Sequence, residues 1–173
     1  MERFMAFFQP KDPPRVKFSV ILAGNTLNCE EDFKTHLNEK FLLEETSVEE
    51  SDVILLFCPI VRRGGSDIEA ALQRLTAVSD SKPAVLVVLH HTFDPDQTGP
   101  DSSRAVTREK TLTVDCLFYE DRGLLRCRRN QEALDKVTEW IKSLTRSPNR
   151  PQPFSAAKDK KIQVSVGWGL SQI

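Results

Sequence analysis

The sequence predicts an α/β domain with a doubly wound, mainly parallel sheet between two layers of helices, of the Rossmann-like or flavodoxin-like type. Continuous apolar runs such as residues 52–61 (DVILLFCPIV) are typical of strands that are covered on both faces. Segments with the apolar spacing of amphipathic helices alternate with these runs, which favours βαβ units and parallel strands. The length of 173 residues fits one such domain.

Each element follows from a local pattern. Strands are predicted where β-branched and apolar residues cluster between turn-forming residues, namely at 16–23, within 41–47, and at 52–61, 83–89 and 111–119. Helices are predicted where apolar residues recur every three or four positions, namely at 26–40, from Ser66 onward, and at 130–144. Asn28 and Ser66 are expected to cap the first two helices, with a glutamate three residues later as the capping-box partner.

The predicted domain spans residues 15–146. Residues 1–14 precede it as an N-terminal extension, and residues 147–173 follow as a Pro-rich linker and a basic tail. Within that tail, residues 162–168 alternate apolar and polar side chains, so they are expected to add an edge strand or to bind elsewhere. Residues 93–110 form a long polar loop, and loops of this length in compact domains are often functional or disordered.

Composition excludes several classes of protein. The 24 basic residues balance 25 acidic ones, which argues against a dedicated nucleic-acid-binding protein. No apolar run approaches the roughly 18 residues that span a bilayer, and the N-terminus is a poor signal peptide, so a cytoplasmic protein without a membrane span is expected. The four cysteines show no metal-type spacing, so we expect reduced thiols, no metal site and no cofactor.

In open α/β sheets, ligands bind beyond the carboxyl ends of the strands, at the point where the strand order reverses. Glycines there let the chain turn sharply, and a helix start with two arginines favours a small anion such as phosphate or carboxylate. The candidate ligand-binding residues are therefore Gly24, Asn25, Arg62, Arg63, Gly64, Gly65 and Ser66. Neither G-x-x-x-x-G-K-[ST] nor G-x-G-x-x-G occurs, which argues against a GTPase or an ordinary dinucleotide fold. The alternative is a plain strand-to-helix turn with solvated arginines.

His90 and His91 end a predicted strand and precede an acidic turn. Adjacent strand residues point to opposite faces, so the two imidazoles are not expected to bind one ion. Either one, facing the crevice at the strand end, is a candidate general base or ligand, because histidine titrates near neutral pH.

The run 52–57, followed by Gly65-Ser66-Asp67-Ile68-Glu69 and two alanines, resembles nucleoside 2-deoxyribosyltransferases and related nucleoside N-glycosidases. The opening Val20-Ile21-Leu22-Ala23-Gly24 is similar to the first strand and glycine turn of that family. The resemblance implies that Glu69 is a nucleophile toward an anomeric carbon and that Ser66 helps to hold a sugar or phosphate. As a capping-box partner, Glu69 would instead be structural.

A second resemblance extends over more of the chain. The phrases SDVILLFCPIV, SKPAVLVVLHHTFDPD and TLTVDCLFYEDRGLL resemble a group of small fish proteins, some of them induced by virus or interferon. It implies an effector or interaction role in innate immunity. Because the sequence contains no complete catalytic constellation beside a well-formed fold, we expect a non-enzymatic cytosolic module whose loop 92–110 and C-terminal tail bind protein partners. The alternative is a nucleoside or nucleotide N-glycosidase that acts through Glu69.

Overall fold

A computed structural model describes residues 13–61, 64–99 and 101–145. Most of the predicted extension, Arg62 and Arg63, and the predicted edge strand at 162–168 lie outside the described residues. The chain forms two compact units, Met1–Thr138 and Glu139–Ile173.

The first unit contains a six-stranded sheet with the order β2-β1-β3-β4-β5-β6. The first five strands are parallel, and β6 pairs antiparallel to β5. The strands are β1 (Arg15–Leu22), β2 (Leu42–Glu45), β3 (Val53–Pro59), β4 (Ala84–His91), β5 (Thr111–Tyr119) and β6 (Gly123–Leu124). The order 2-1-3-4-5 is that of flavodoxin-like sheets, and it reverses between β1 and β3. The predicted fold class is confirmed.

Three helices accompany the sheet: α1 (Cys29–Leu37), α2 (Gly64–Val78) and α3 (Arg128–Thr145). The apolar stripe of α2 packs in one buried cluster with Ile54, Leu56 and Cys58 of β3. Phe33 of α1 instead meets Phe57 of β3 edge to face, with ring centroids 5.4 Å apart. Because successive strand residues point to opposite faces, α1 and α2 cover opposite faces of the sheet.

Two helix starts differ from the sequence prediction. Leu27 and Asn28 adopt left-handed backbone angles (φ 53° and 67°), so α1 begins only at Cys29, and Asn28 makes no side-chain cap hydrogen bond. Helix α2 begins at Gly64, which places Ser66 inside the first turn instead of before it. The side chain that reaches back at this turn is that of Asp67, whose Oδ2 accepts a hydrogen bond from the Val61 N–H at 2.8 Å. Asn28 therefore occupies the predicted N-cap position of α1 without making the predicted cap hydrogen bond, whereas the predicted start of α2 at Ser66 is wrong.

Among its described residues, the crossover from β4 to β5 contains a short 3₁₀ helix, Ser102–Ala105, and no α-helix, which would be the usual connection. Asp115 of β5 anchors this segment, because its carboxylate accepts hydrogen bonds from the backbone N–H of Ser102 at 3.0 Å and from its hydroxyl at 2.5 Å. Val106 packs against the cluster beneath α2. Part of the predicted surface loop therefore packs against the sheet.

Arg108 fixes the far end of the same crossover. Its guanidinium donates to the carbonyl oxygens of Ser79 at 3.0 Å and Lys82 at 2.8 Å, just beyond the end of α2. It also donates to the Thr111 hydroxyl at 2.7 Å. One side chain therefore ties the end of α2 to the start of β5.

A buried amide completes the ladder at the β6 edge. Asn130, in the first turn of α3, accepts from the Leu117 N–H at 2.7 Å and donates to the Leu117 and Leu125 carbonyls at 2.8 and 2.7 Å. Leu125 N–H also donates to the Leu117 carbonyl at 3.0 Å. The Asn130 side chain substitutes for a strand residue at this edge, and the sequence pattern predicts no strand at Gly123–Leu124.

In the second unit, the described residues form the last turns of α3. There the Lys142 Nζ lies 3.6 Å from the Glu139 Oε2. No helix in the described part of the chain is long and apolar enough to cross a membrane.

Candidate functional site at the carboxyl end of the sheet

The turn after β1 lies at the reversal point between β1 and β3. Gly24 has φ +154°, and a Cβ there would lie 2.9 Å from Pro59 Cγ at the end of β3. Only glycine permits this close approach. Asn25 uses its side-chain oxygen to accept from the Leu27 N–H at 3.0 Å, and Thr26 is buried. Gly24 and Asn25, the two candidate ligand-binding residues of this turn, therefore both have a structural role in it.

The second half of the predicted anion site is the start of α2. Gly65 and Ser66 are exposed there. Asp67 places a carboxylate at the same turn, already bonded to the Val61 N–H. Glu69 is exposed, and among the described residues it makes no hydrogen bond with Ser66.

The two candidate histidines face different surroundings. His90 Nε2 lies 2.8 Å from Asp115 Oδ1 and is largely shielded from solvent, whereas His91 is exposed. Burial alone would raise the pKa of Asp115, but hydrogen bonds from His90 and Ser102 outweigh it and hold the pKa below its ordinary value of 3.8. Asp115 is therefore a largely shielded carboxylate that stays ionised near neutral pH.

The order of the groups around Asp115 restricts their chemistry. In a Ser-His-Asp triad the histidine stands between the serine and the aspartate and takes the serine proton. Here the aspartate stands between, since Ser102 Oγ and His90 Nε2 both bond to Asp115 Oδ1. Ser102 is consequently not arranged as a nucleophile activated by His90. The arrangement fastens the crossover to β4 and β5.

His91, Phe93 and Tyr119 form an aromatic group at the ends of β4 and β5. The His91 and Tyr119 rings lie 4.9 Å apart, and Phe93 meets Tyr119 edge to face at 6.1 Å. Phe93 is nevertheless 70% exposed. At the end of the neighbouring strand β3, Val61 is 77% exposed. Large apolar side chains are thus presented to solvent across adjacent strand ends.

Asp115, Ser102 and Phe93 are not among the residues that the sequence patterns predict to be functional. A signal existed for Asp115, which is an acidic residue inside the apolar run of β5. Phe93 stands at the start of a polar loop, where an exposed aromatic residue is noteworthy. Within residues 13–61, 64–99 and 101–145, no three His, Cys, Asp or Glu side chains come together as a metal site.

No protein-family model matches this chain, and no curated protein is significantly similar to it. The fold and site therefore define a class only. The chain is an α/β protein with flavodoxin-like strand order and an exposed aromatic group at the carboxyl end of its sheet.

Proposed function

We propose that this protein is a non-enzymatic interaction module that binds a protein partner through the carboxyl end of its sheet. The observation that carries the proposal is the exposure of Phe93 and Val61 on adjacent strand ends. Aromatic side chains are enriched in protein interfaces, and they often supply much of the binding energy.

The aromatic group is suited to this task because its rings support one another. Phe93 rests against Tyr119, which in turn contacts His91. A ring already held in place loses less conformational entropy on binding than a free one. Hydrogen bonds from Asp94 N–H to the Thr92 hydroxyl at 3.1 Å and from Asp96 N–H to Asp94 Oδ1 at 2.9 Å shape the chain on either side of Phe93.

The test compares Phe93→Ser and Val61→Ser with the matched variant Val78→Ser. Val78 is 49% exposed at the last residue of α2, at the opposite end of the sheet. Proximity labelling of the full chain in cells identifies partners, and binding to each purified partner is then measured. Phe93→Ser is expected to weaken binding at least tenfold, whereas Val78→Ser should bind like the wild type. Equal affinities for all variants would contradict the proposal.

The cellular role that we propose is that of a cytosolic effector in innate immunity. Its support is the sequence resemblance to small fish proteins induced by virus or interferon. The transcript is expected to rise after interferon treatment of cells that express it, and disruption of the gene should raise viral yield. Neither change would be seen if the protein had an unrelated role.

A second candidate function is N-glycosidase activity through Glu69. One observation favours it, because the Glu69 carboxylate is exposed in the second turn of α2 and is not committed to a capping hydrogen bond with Ser66. A carboxylate can stabilise or trap an oxocarbenium-like centre. Incubation with nucleosides, nucleotides and NAD should release free base, and Glu69→Gln should abolish the release. Glu50→Gln, at another exposed glutamate, is the matched control. Base release that survives Glu69→Gln would exclude this role.

A further inference from the structure

We infer a separate ligand site in a cavity of about 500 Å³ between α1, β6 and the first turns of α3. We propose that it binds a small amphipathic anion, with an apolar body and one carboxylate, sulfonate or phosphate group. The inference goes beyond the proposed interaction function, since no member of the aromatic group lines this cavity.

The cavity has the size of a small-molecule site and a mixed lining, apolar on one side and polar or charged on the other. Such sites usually measure about 300–1,000 Å³ and are lined by apolar side chains with a few polar groups. Here Leu124, Leu125 and Leu134 supply the apolar wall. Leu125 and Leu134 are buried, so the wall belongs to the folded core and not to a loose surface.

The charged lining favours an anion. Arg122 and Arg126 are exposed and line the cavity together with His36, whereas Asp32 is the one carboxylate among the lining residues. Asp32 is engaged, because its Oδ2 accepts a hydrogen bond from the Leu124 N–H at 3.1 Å. Guanidinium groups match the geometry of carboxylate and phosphate oxygens, and the N-terminus of α3 adds a partial positive charge.

Two local contacts hold the cavity in shape. Gly123 has φ +69°, which favours glycine, and a Cβ on it would overlap Asp32 Oδ2 and so displace the carboxylate that bonds to β6. On the other side, the amide of Asn130 lines the cavity with all its hydrogen bonds already made to the backbone of Leu117 and Leu125. Because the cavity is already formed, ligand binding requires little free energy of reorganisation.

The charge requirement is tested with two fluorescent probes that share an apolar body. One is 1-anilinonaphthalene-8-sulfonate, and the other is N-phenyl-1-naphthylamine, which lacks the sulfonate. The full chain is expected to bind both probes saturably at one site. The double variant Arg122→Gln/Arg126→Gln should weaken sulfonate binding at least tenfold and change binding of the neutral probe less than twofold. Equal losses for both probes, or no saturable binding by the wild type, would overturn the proposal.

The location is tested by filling the cavity from α1. Thr35 is exposed and lines the cavity, so Thr35→Trp should abolish binding of both probes. Thr76→Trp, at an exposed position of α2, should leave binding unchanged. If Thr35→Trp fails to fold, the double arginine variant still decides the question. Unchanged probe binding in a folded Thr35→Trp variant would refute the location.

Cys127 supplies an independent readout. It lines the cavity and is partly exposed, whereas the other three cysteines are buried. Saturating sulfonate probe should slow the alkylation of Cys127 by iodoacetamide at least fivefold in the wild type, but not in the double arginine variant. An alkylation rate that the probe does not change would place the bound probe elsewhere and overturn the proposal.

Discussion

Replacing Asn130 by alanine should destabilise the protein more than its size suggests. The side chain is 3% exposed and makes three hydrogen bonds to the backbone of β5 and the segment after β6. Without it, the Leu117 carbonyl keeps the bond from Leu125 N–H, but the Leu117 N–H and the Leu125 carbonyl lose their partners. A buried polar group without a partner costs about 1–3 kcal/mol, so the expected loss is about 2–6 kcal/mol.

Equilibrium unfolding in urea, followed by far-UV circular dichroism, measures this loss. With a slope of about 1–3 kcal/mol per molar urea, a loss of 3 kcal/mol lowers the midpoint by about 1–3 M. The neighbouring residue Gln131 is exposed and bonds only to Asp135 on the same helix, so Gln131→Ala should cost about 0.5 kcal/mol or less. If Asn130→Ala lowered the free energy of unfolding no more than Gln131→Ala does, the Asn130 amide would not be needed to complete the sheet edge.

Three further outcomes are expected. Gly123→Ala should destabilise the fold by about 1–3 kcal/mol, because its backbone conformation suits only glycine and the methyl group displaces Asp32; an unchanged melting temperature would contradict this. Arg108→Ala should lower the free energy of unfolding by about 1–3 kcal/mol, because the carbonyls of Ser79 and Lys82 lose their partner. Amide hydrogen exchange in the β4–β5 crossover should then become faster. Unchanged exchange rates would show that Arg108 is not needed to hold the crossover in place. Since the folded pKa of Asp115 is depressed, its contribution to stability is full above about pH 4 and falls as the pH drops through the folded pKa. The stability difference between wild type and Asp115→Asn should therefore shrink below pH 4, and a difference independent of pH would argue against the His90 contact.

The elements that the sequence predicted well are those whose signal is local. The run 111–119 is the full extent of β5, and the run 52–61, in which only Asp52 is polar, contains β3, which is buried along its whole length. Burial on both faces requires an unbroken apolar run, so the pattern alone reveals such a strand. Helix starts were less accurate. Asn28 occupies the N-cap position of α1, but with a left-handed backbone and no side-chain cap hydrogen bond, and α2 begins two residues before the predicted Ser66.

Residues that act across the fold could not be found in this way. His90 and Asp115 are 25 positions apart, and only the parallel pairing of β4 with β5 brings them together. The contact of Asp32 with the Leu124 N–H spans 92 positions and forms one side of the proposed anion cavity. The apolar periodicity of a single segment cannot predict such contacts, because they depend on strand order and register.

The sequence by itself determined the class of fold, since alternating apolar runs and amphipathic helices leave few ways to bury their faces other than a parallel sheet between helices. The tertiary structure alone decided which polar groups meet. It placed Asp115 between Ser102 and His90, directed the Asn130 amide into the sheet edge, and left Phe93 in solvent. The physical reason is one of range. Burial patterns follow from neighbours along the chain, whereas hydrogen-bond partners and exposed surfaces depend on how distant segments are packed together.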